Sequence, residues 1–164
     1  MHMRILIAAA ALALVAMPAW AKQIRFPEEG DPAITAEVLD AWKVEKRNDG
    51  NLHISSIDRN LEVLFSIVPF DGTLDEAATA AMKANAATAP GPGPEVEISG
   101  QKGRIYYSLM AGDNGHILNM KMVVVRLDAQ NMGLFTIISD QKVNDLMLRA
   151  AQAIVDSVKI APPQ

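Results

Sequence analysis

Apolar and polar residues alternate along most of the chain between Trp42 and Ser139, and short turn-forming sequences interrupt the alternation. A period of two is typical of β-strands, whose successive side chains point to opposite faces of a sheet. Short turns join antiparallel neighbours, because parallel strands need a long crossover connection. This region is therefore predicted to form a meandering antiparallel sheet, against which every other element must pack.

The predicted strands fall into two groups. The first group contains WKVEKR, LHISSI and LEVLFSIV, joined through NDGN and DRN. The second group contains EVEIS, RIYYSLMA, HILNMKMVVVRL and MGLFTIIS, joined through GQKG, GDNG and DAQN. Asn, Asp and Gly suit such connections because they tolerate the left-handed backbone conformation that tight hairpin turns require. We therefore expect an antiparallel sheet of about six to seven strands.

Two segments break the period of two and are predicted to be helices. In TLDEAATAAMKANAA, Glu76 follows Thr73 at the spacing of a capping box. We expect this helix to end at PGPGP, interpreted as a stiff linker because proline cannot continue a helix. The second helix is predicted from about Gln141 to Lys159. Its apolar stripe is typical of a helix lying on a sheet and consists of Val143, Leu146, Met147, Ala150, Ile154, Val155 and Val158.

The strand HILNMKMVVVRL is apolar on both of its faces. Met120 and Met122 lie on one face, and Val123 and Val125 lie on the other. Strands that are apolar on both faces are typically buried on both faces. The predicted fold class is therefore α+β, an antiparallel β-sheet with helices packed on both faces in an α/β/α sandwich.

The chain begins with MHMRILIAAAALALVAMPAWA, in which Arg4 precedes a short apolar run and then the small residues of AWA. This is the order of a Sec-type signal peptide, so cleavage is expected between Ala21 and Lys22. The apolar run is shorter than the ~20 residues of a membrane-spanning helix, and we expect no stable membrane insertion after cleavage. The predicted location is periplasmic or secreted.

The predicted signal peptide determines the expected domain organisation. Residues 1–21 are the cleaved signal peptide, and residues 22–164 have the length of a single α+β domain. Within that domain we expect an extended N-terminal segment, 22–33, and a short C-terminal tail, 160–164. The chain contains no cysteine, which excludes a disulfide framework and a lipid anchor on an N-terminal cysteine.

The formal net charge of the whole chain is −4, and loss of Arg4 makes the mature chain more negative. Nucleic acids and anionic membrane surfaces attract positively charged surfaces. The sequence has no polybasic run that could provide one. No nucleic-acid partner is therefore expected.

The order of elements along nearly the whole predicted mature chain can be compared with known folds. IRFPEEGDPAITAEVLDAWKVEK leads into LHISSI and LEVLFSIV, a capped helix and later hairpins follow, and an amphipathic helix closes the chain with IVDSVKI. This order resembles the PsbP-like (Mog/PsbP) superfamily, which includes secreted bacterial members of unassigned role. The resemblance implies an α+β fold and an accessory or partner-binding role. It transfers no catalytic residue, because the superfamily shares a fold without a common chemistry.

The methionine-rich strand raises the question of a metal site. Met120 and Met122 share a strand face, Met110 and Met132 are predicted on the strands to either side, and His116 lies shortly before them. Thioether and imidazole ligands suit Cu(I), whereas methionine is also an ordinary filler of cores. We interpret the methionines as core residues and keep Met120, Met122 and His116 as an alternative metal site.

Other catalytic or metal-binding patterns are weak. His53 in LHISSI is predicted to be an exposed strand histidine. The predicted mature chain has one other histidine, His116, and no cysteine, so it cannot assemble a zinc site of imidazoles and thiolates. No serine lies in the strand-to-helix elbow of a hydrolase. Tyr106 and Tyr107 are adjacent on one strand, so they must face opposite sides of the sheet. One of them can then offer its hydroxyl to a groove while the other packs.

These observations predict an exported, non-enzymatic periplasmic protein that binds a protein partner or a small ligand in an accessory role. No catalytic residue and no cofactor is predicted. The N-terminal segment KQIRFPEEGDP is either a docking arm or an edge strand. The alternative function is a periplasmic carrier of Cu(I) or of a hydrophobic ligand that uses the methionine-rich strands.

Overall fold

The computed structural model describes residues 21–162, apart from the side chain of Asn114. The predicted signal peptide and the last two residues of the tail therefore lie outside the described residues, except for Ala21. The strands are β1 (Ala21–Phe26), β2 (Ile34–Leu39), β3 (Lys43–Lys46), β4 (Leu52–Ser55), β5 (Leu61–Pro69), β6 (Gly91–Ile98), β7 (Gln101–Ala111), β8 (Ile117–Arg126), β9 (Asn131–Asp140) and β10 (Lys159–Ile160). The helices are α1 (Leu74–Ala84) and α2 (Asp145–Asp156), and a 3₁₀ turn covers Asp113–Gly115.

Seven of these strands form one antiparallel sheet in the order β3-β4-β5-β9-β8-β7-β6. Both predicted groups of strands are therefore confirmed, together with the expected antiparallel pairing and strand number. The sequence patterns did not indicate how the groups join. They join through β5 and β9, which pair over nine residues from Leu61 opposite Ser139 to Pro69 opposite Asn131.

A second, three-stranded sheet has the order β1-β2-β10. It contains residues 22–26 of the predicted N-terminal segment 22–33, which pair with β2 as an edge strand rather than forming an arm. At the start of the predicted tail 160–164, the structure places Ile160 in β10. Ile160 pairs with Ile34, and the amide of Ala161 donates a hydrogen bond to the carbonyl of Ala33 at 2.8 Å. Main-chain hydrogen bonds to β2 thus hold both ends of the described chain.

Helix α1 packs on one face of the large sheet. Thr73 and Glu76 form the predicted capping box, in which the Thr73 hydroxyl accepts from the Glu76 amide and the Glu76 carboxylate accepts from the Thr73 amide. Two orphan amides at the helix start are thereby satisfied. The apolar cluster beneath this helix contains Ala77, Ala78, Met82, Tyr106, Met120, Met122, Val124, Met132 and Leu134.

Helix α2 and the small sheet share the other face. Phe65 of β5 and Phe135 of β9 meet there edge to face, with ring centroids 5.3 Å apart, which is a favourable aromatic geometry. Side chains from β2, including Ile34 and Val38, belong to the same buried cluster. An α+β sandwich with a helix on each face is therefore confirmed, and the small sheet is an addition to it.

Helix α2 is shorter than the predicted range of Gln141 to Lys159. The side chain of Asn144 accepts a hydrogen bond from the amide of Met147 at 2.9 Å and so caps the helix start. At the other end, Lys159 has left the helix for β10. The predicted stripe was wrong at Leu146, which is 71% exposed, because Ala151 takes an inward position instead.

The interpretation of PGPGP as a linker was wrong. Gly91 to Ile98 form β6, the outermost strand of the sheet, with a register shift between Pro92 and Glu95. Proline is tolerated on an edge strand because no further strand needs its missing amide. At Gly93 an added Cβ atom would lie 2.7 Å from the ring of Tyr107. The glycine therefore lets that ring approach the edge strand.

Candidate functional site: a groove beside the second helix

A groove lies between α2 and the outer strands of the large sheet. Helix α2 contacts β5, β9 and β2, whereas α1 contacts β7 and β8 from the opposite face. The face that carries α2 is therefore covered over β5 and β9 but remains open over β7 and β6. The prediction that the strand HILNMKMVVVRL is buried on both faces holds for Met122 to Val125 and was wrong at its start, where Ile117 and Asn119 are exposed.

The inner part of the groove is a cavity of about 560 Å³ with aliphatic walls and a polar rim. Its floor is formed by β7 and β8, one wall by β6 and the other wall by the end of α2. The aliphatic lining consists of Val96, Ile98, Ile105, Val123, Val155 and Val158. The polar rim contains Glu97, Ser99, Gln152, Asp156 and Lys159. One end is closed where the amide of Ile160 donates to the Ser99 hydroxyl at 3.0 Å.

The outer part of the groove is a smaller cavity of about 370 Å³, which shares Gln152 with the first. Its apolar lining comes from Ile137 and Leu148, and two cations, Lys121 and Arg149, also line it. The ammonium of Lys121 donates a hydrogen bond to Oε1 of Gln152 at 2.6 Å. A cavity with apolar walls and a few converging polar groups has the usual composition of a ligand site.

An exposed apolar patch continues the floor beyond this cavity. Tyr107 pairs with Lys121, Leu109 pairs with Asn119, and Ile117 pairs with Ala111, so these side chains share one face of the sheet. Tyr107, Leu109 and Ile117 are 48%, 43% and 52% exposed. Three large exposed apolar side chains beside a groove are a feature of binding surfaces.

Sequence reasoning missed this site. Arg149 and Gln152 lie outside the apolar stripe predicted for the last helix, and Lys121 is a single charge within HILNMKMVVVRL. The available signal was Lys121 itself, since a charged residue inside a strand expected to be buried needs a partner or access to water.

The methionines lie on the opposite face of the sheet. Met120 and Met122 are each 2% exposed and pack beneath α1 with Met132 and Met82, and Met110 is partly buried against them. His116 is exposed before the start of β8. Four residues of strand separate it from Met120, a distance of about 13 Å. The structure therefore groups the methionines as expected for core residues and leaves His116 apart from them, while metal binding there stays a prediction.

The prediction that His53 is exposed was wrong. The ring is 6% exposed, with Nδ1 at 2.6 Å from Oε1 of Glu62 and Nε2 at 2.9 Å from Oδ2 of Asp49. Hydrogen bonds from the Asn51 amide and from His53 lower the pKa of Asp49. Both ring nitrogens are occupied by carboxylates of β5 and of the turn before β4, so His53 links these elements instead of offering a free ligand.

The two adjacent tyrosines face opposite sides of the sheet, as predicted. Tyr106 is 1% exposed beneath α1, and its hydroxyl donates to Oδ1 of Asp75 at 2.5 Å. Arg104 pairs with the same carboxylate at 3.4 Å and with Glu95 at 3.1 Å. Burial, and then the hydrogen bond to Asp75, raise the pKa of Tyr106. Tyr106 thus attaches the start of α1 to β7, and Tyr107 is the tyrosine beside the groove.

Within residues 21–162, no group of three or more His, Cys, Asp or Glu side chains is arranged to hold a metal ion. Over the same residues, no helix is long and apolar enough to cross a membrane.

No protein-family model matches the sequence, and no curated protein matches it. Several solved structures do match the chain. The Ran-binding protein Mog1p of Saccharomyces cerevisiae matches with a TM-score of 0.59 and 10% identity, over 87% of this chain and 96% of its own. PsbP (CyanoP) of Synechocystis sp. PCC 6803 matches with a TM-score of 0.59 and 11% identity, over 93% of this chain and 100% of its own. The chain has the PsbP-like fold.

A third match with the PsbP-like fold is LpqN of Mycobacterium tuberculosis, which is involved in cell envelope biogenesis. Its TM-score is 0.57 at 15% identity, over 87% of this chain and 92% of LpqN. A Bacteroides thetaiotaomicron protein is also similar, with a TM-score of 0.52, but this chain spans only 45% of its length. The resemblance inferred from the sequence is therefore confirmed at the level of the fold.

Proposed function

We propose that this PsbP-like protein is an exported, non-enzymatic accessory protein of the bacterial cell envelope. It binds a protein partner or a small ligand through the groove beside α2. The observation that carries this proposal is the groove itself, where an apolar cavity, two cations and three exposed apolar side chains lie on one uncovered face of the sheet. Two of the similar structures support it by analogy, since one is a Ran-binding protein and another is involved in cell envelope biogenesis.

Export is supported by the N-terminal sequence. The proposed cleavage between Ala21 and Lys22 removes only the first residue of β1. The remaining residues of β1 keep their pairing with β2, from Lys22 opposite Val38 to Phe26 opposite Ile34. The proposed mature chain therefore retains the small sheet almost intact.

Export is tested by expressing the full chain with a C-terminal tag in a bacterium and separating periplasm from cytoplasm. We expect the tagged protein in the periplasm with Lys22 as its first residue, as read by N-terminal sequencing. Recovery in the cytoplasm with the first 21 residues attached would refute this part of the proposal.

Binding through the groove is tested by photo-crosslinking in cells. A photoreactive amino acid replaces Leu109 at the open end of the groove, and the matched control replaces Ile57, which is 81% exposed in the turn between β4 and β5. We expect a discrete adduct, either an envelope protein or a small mass seen by mass spectrometry, at position 109 and none at position 57. Equal labelling at both positions, or none at either, would argue against the groove as the binding surface.

A further inference from the structure

Lys121 is a half-buried cation without an acidic partner. Its ammonium donates only to the neutral amide of Gln152, and among the described residues no carboxylate lies within 4.0 Å of it. Arg149 precedes Gln152 by three residues on the same helix, lines the same cavity, and likewise has no ion pair in the described part of the chain. Two uncompensated positive charges thus converge on one cavity of a protein whose net charge is negative.

The side chain of Gln152 occupies the position at which an anion would meet Lys121. Its Oε1 accepts from Lys121 at 2.6 Å, while its Nε2 donates to Oδ1 of Asp156 at 2.7 Å. An ionised carboxylate or phosphate is a stronger acceptor for an ammonium than a neutral amide oxygen. An incoming anion can therefore replace Gln152 on Lys121 without leaving the amide nitrogen of Gln152 unpaired.

The aliphatic cavity begins directly beside this position. Val123 is two residues from Lys121 on the same face of β8, and the cavity runs from there across β7 to Val96 and Ile98 of β6. From Lys121 on β8 to Val96 on β6 the groove runs two strand spacings across the sheet, about 10 Å, and four residues along it, about 13 Å, which is a diagonal of roughly 16 Å. This matches an extended chain of roughly ten carbons.

We propose that the groove binds a single-chain amphiphile whose anionic head group pairs with Lys121 and Arg149 and whose alkyl chain fills the cavity lined by Val96, Ile98, Ile105 and Val123. The inference deepens the proposed function, on which it rests, by naming the class of small ligand. Lys121 and Arg149 are the charged residues that line the outer cavity, so an anionic head group is favoured there, whereas the rim of the inner cavity carries charges of both signs. The closed end at Ser99 and Ile160 favours a single short chain over a polypeptide segment that passes through.

The experiment is isothermal titration of the purified protein, as isolated from expressing cells and washed free of lipid, with decanoate below its micelle concentration. We expect saturable binding of one decanoate per chain. Octanoate should bind roughly tenfold more weakly, because it buries two fewer methylene groups. Decanol should bind at least tenfold more weakly, because it lacks the charge. Decyl phosphate distinguishes the two head-group chemistries, and binding of either anion supports the proposal.

Substitutions of Lys121 and Arg149 test where the head group of decanoate binds. Lys121→Gln should weaken decanoate binding roughly tenfold, because a charge-assisted hydrogen bond in a partly buried site is lost. Arg149→Gln should weaken it about threefold, since Arg149 is more exposed to screening. The matched control is Lys83→Gln, which removes an exposed lysine of α1 on the opposite face and should leave affinity unchanged.

The alkyl chain is located by amide chemical shifts in nuclear magnetic resonance. Shifts on decanoate addition should concentrate at Ile98, Ile105 and Val123, with no change at the methionines beneath α1. Equal affinity for decanoate and decanol, equal effects of Lys121→Gln and Lys83→Gln, or no binding at all would overturn the proposal.

The outcome of the ligand-binding experiment can be distinguished from the outcomes of the export and crosslinking tests of the proposed function. A protein that is exported and crosslinks to an envelope protein at position 109, but does not bind decanoate or decyl phosphate, would contradict the ligand class and leave the function standing. A protein that binds decanoate but remains in the cytoplasm would contradict the function instead.

Discussion

Neighbouring residues of one strand can have entirely different environments in this fold. Tyr106 is buried beneath α1 and bonded to Asp75, whereas the ring of Tyr107 lies half-exposed beside Gly93 on the other face. Strand geometry alone predicts that the two side chains diverge. Which of them is buried depends on the side that α1 occupies, and no property of either tyrosine indicates this.

The hydroxyl of Tyr106 is expected to contribute measurably to stability. Tyr106→Phe should lower the free energy of unfolding by about 1 kcal/mol at pH 7, because it removes one hydrogen bond to a charged carboxylate. Tyr107→Phe is the matched control. It removes a hydroxyl for which the described residues provide no hydrogen bond, and it should change stability by less than about 0.5 kcal/mol. Urea denaturation at neutral pH measures both, and equal effects would contradict the assignment.

The same residue predicts a dependence on alkaline pH. The folded state holds the pKa of Tyr106 above its ordinary value of 10.0. The contribution is therefore fully present below about pH 10 and is lost at higher pH, where the phenol ionises more readily in the unfolded chain. The Tyr106→Phe variant lacks this group and should lose less stability than the wild type between neutral and strongly alkaline pH. A parallel decline in the two proteins would contradict the raised pKa.

His53 shows where local sequence was misleading. The polar neighbours Asn51 and Ser55 favoured an exposed ring, but the turn after β3 brings Asp49 onto one nitrogen and β5 brings Glu62 onto the other. A buried imidazole is tolerated because both nitrogens have partners. The partner on β5 is nine residues away in the chain and becomes a neighbour only through strand pairing.

At the level of elements, the start of α1 was predictable because its determinants are local. Thr73, Glu76 and the alanine-rich run that follows specify a capped helix from residues within two turns of each other. The first half of β6 was not predictable in this way, although EVEIS, which contains its second half, was. Its glycines and prolines are typical of a linker, and they are compatible with a strand only because β6 lies at the edge of the sheet.

Removal of the α1 cap should have a measurable cost. Thr73→Ala is expected to lower the free energy of unfolding by about 1 kcal/mol, because the amide of Glu76 loses its acceptor. Thr79→Ala is the control within the same helix, since Thr79 is exposed and alanine has the higher helix propensity. It should be neutral or slightly stabilising. Thermal denaturation followed by circular dichroism measures both, and a loss of equal size in the two variants would contradict the role of the cap.

At the scale of the whole molecule, the small sheet holds both ends of the described chain by strand pairing with β2, which contacts α2. Strand β2 contributes Ile34 and Val38 to the buried cluster on that face, and β10 closes the far end of the groove through Ser99. The groove thus exists because α2 and the small sheet together cover only part of the seven-stranded sheet. Its shape depends on elements that are more than a hundred residues apart in sequence, as β2 and β10 pair directly.

The contribution of the small sheet can be measured with a pair of isoleucine variants. Ile34 is 0% exposed, so Ile34→Ala should lower the free energy of unfolding by about 3 kcal/mol through lost burial and a residual cavity. Ile57 is 81% exposed, and Ile57→Ala should change it by less than about 0.5 kcal/mol. Chemical denaturation of both variants provides the comparison. A near-neutral Ile34→Ala would show that the small sheet packs only loosely on α2.

The sequence by itself determined the strands of the large sheet, their antiparallel pairing, the two helices, the cap of α1 and the resemblance to the PsbP-like fold. These features depend on alternation, turn residues and capping residues that lie close together in the chain. Only the tertiary structure decided that residues 22–26 and 159–160 join a second sheet, that His53 is buried, and that Lys121 and Arg149 share a cavity. Each of these depends on contacts between distant segments, and the patterns of local sequence carry no record of which segments meet.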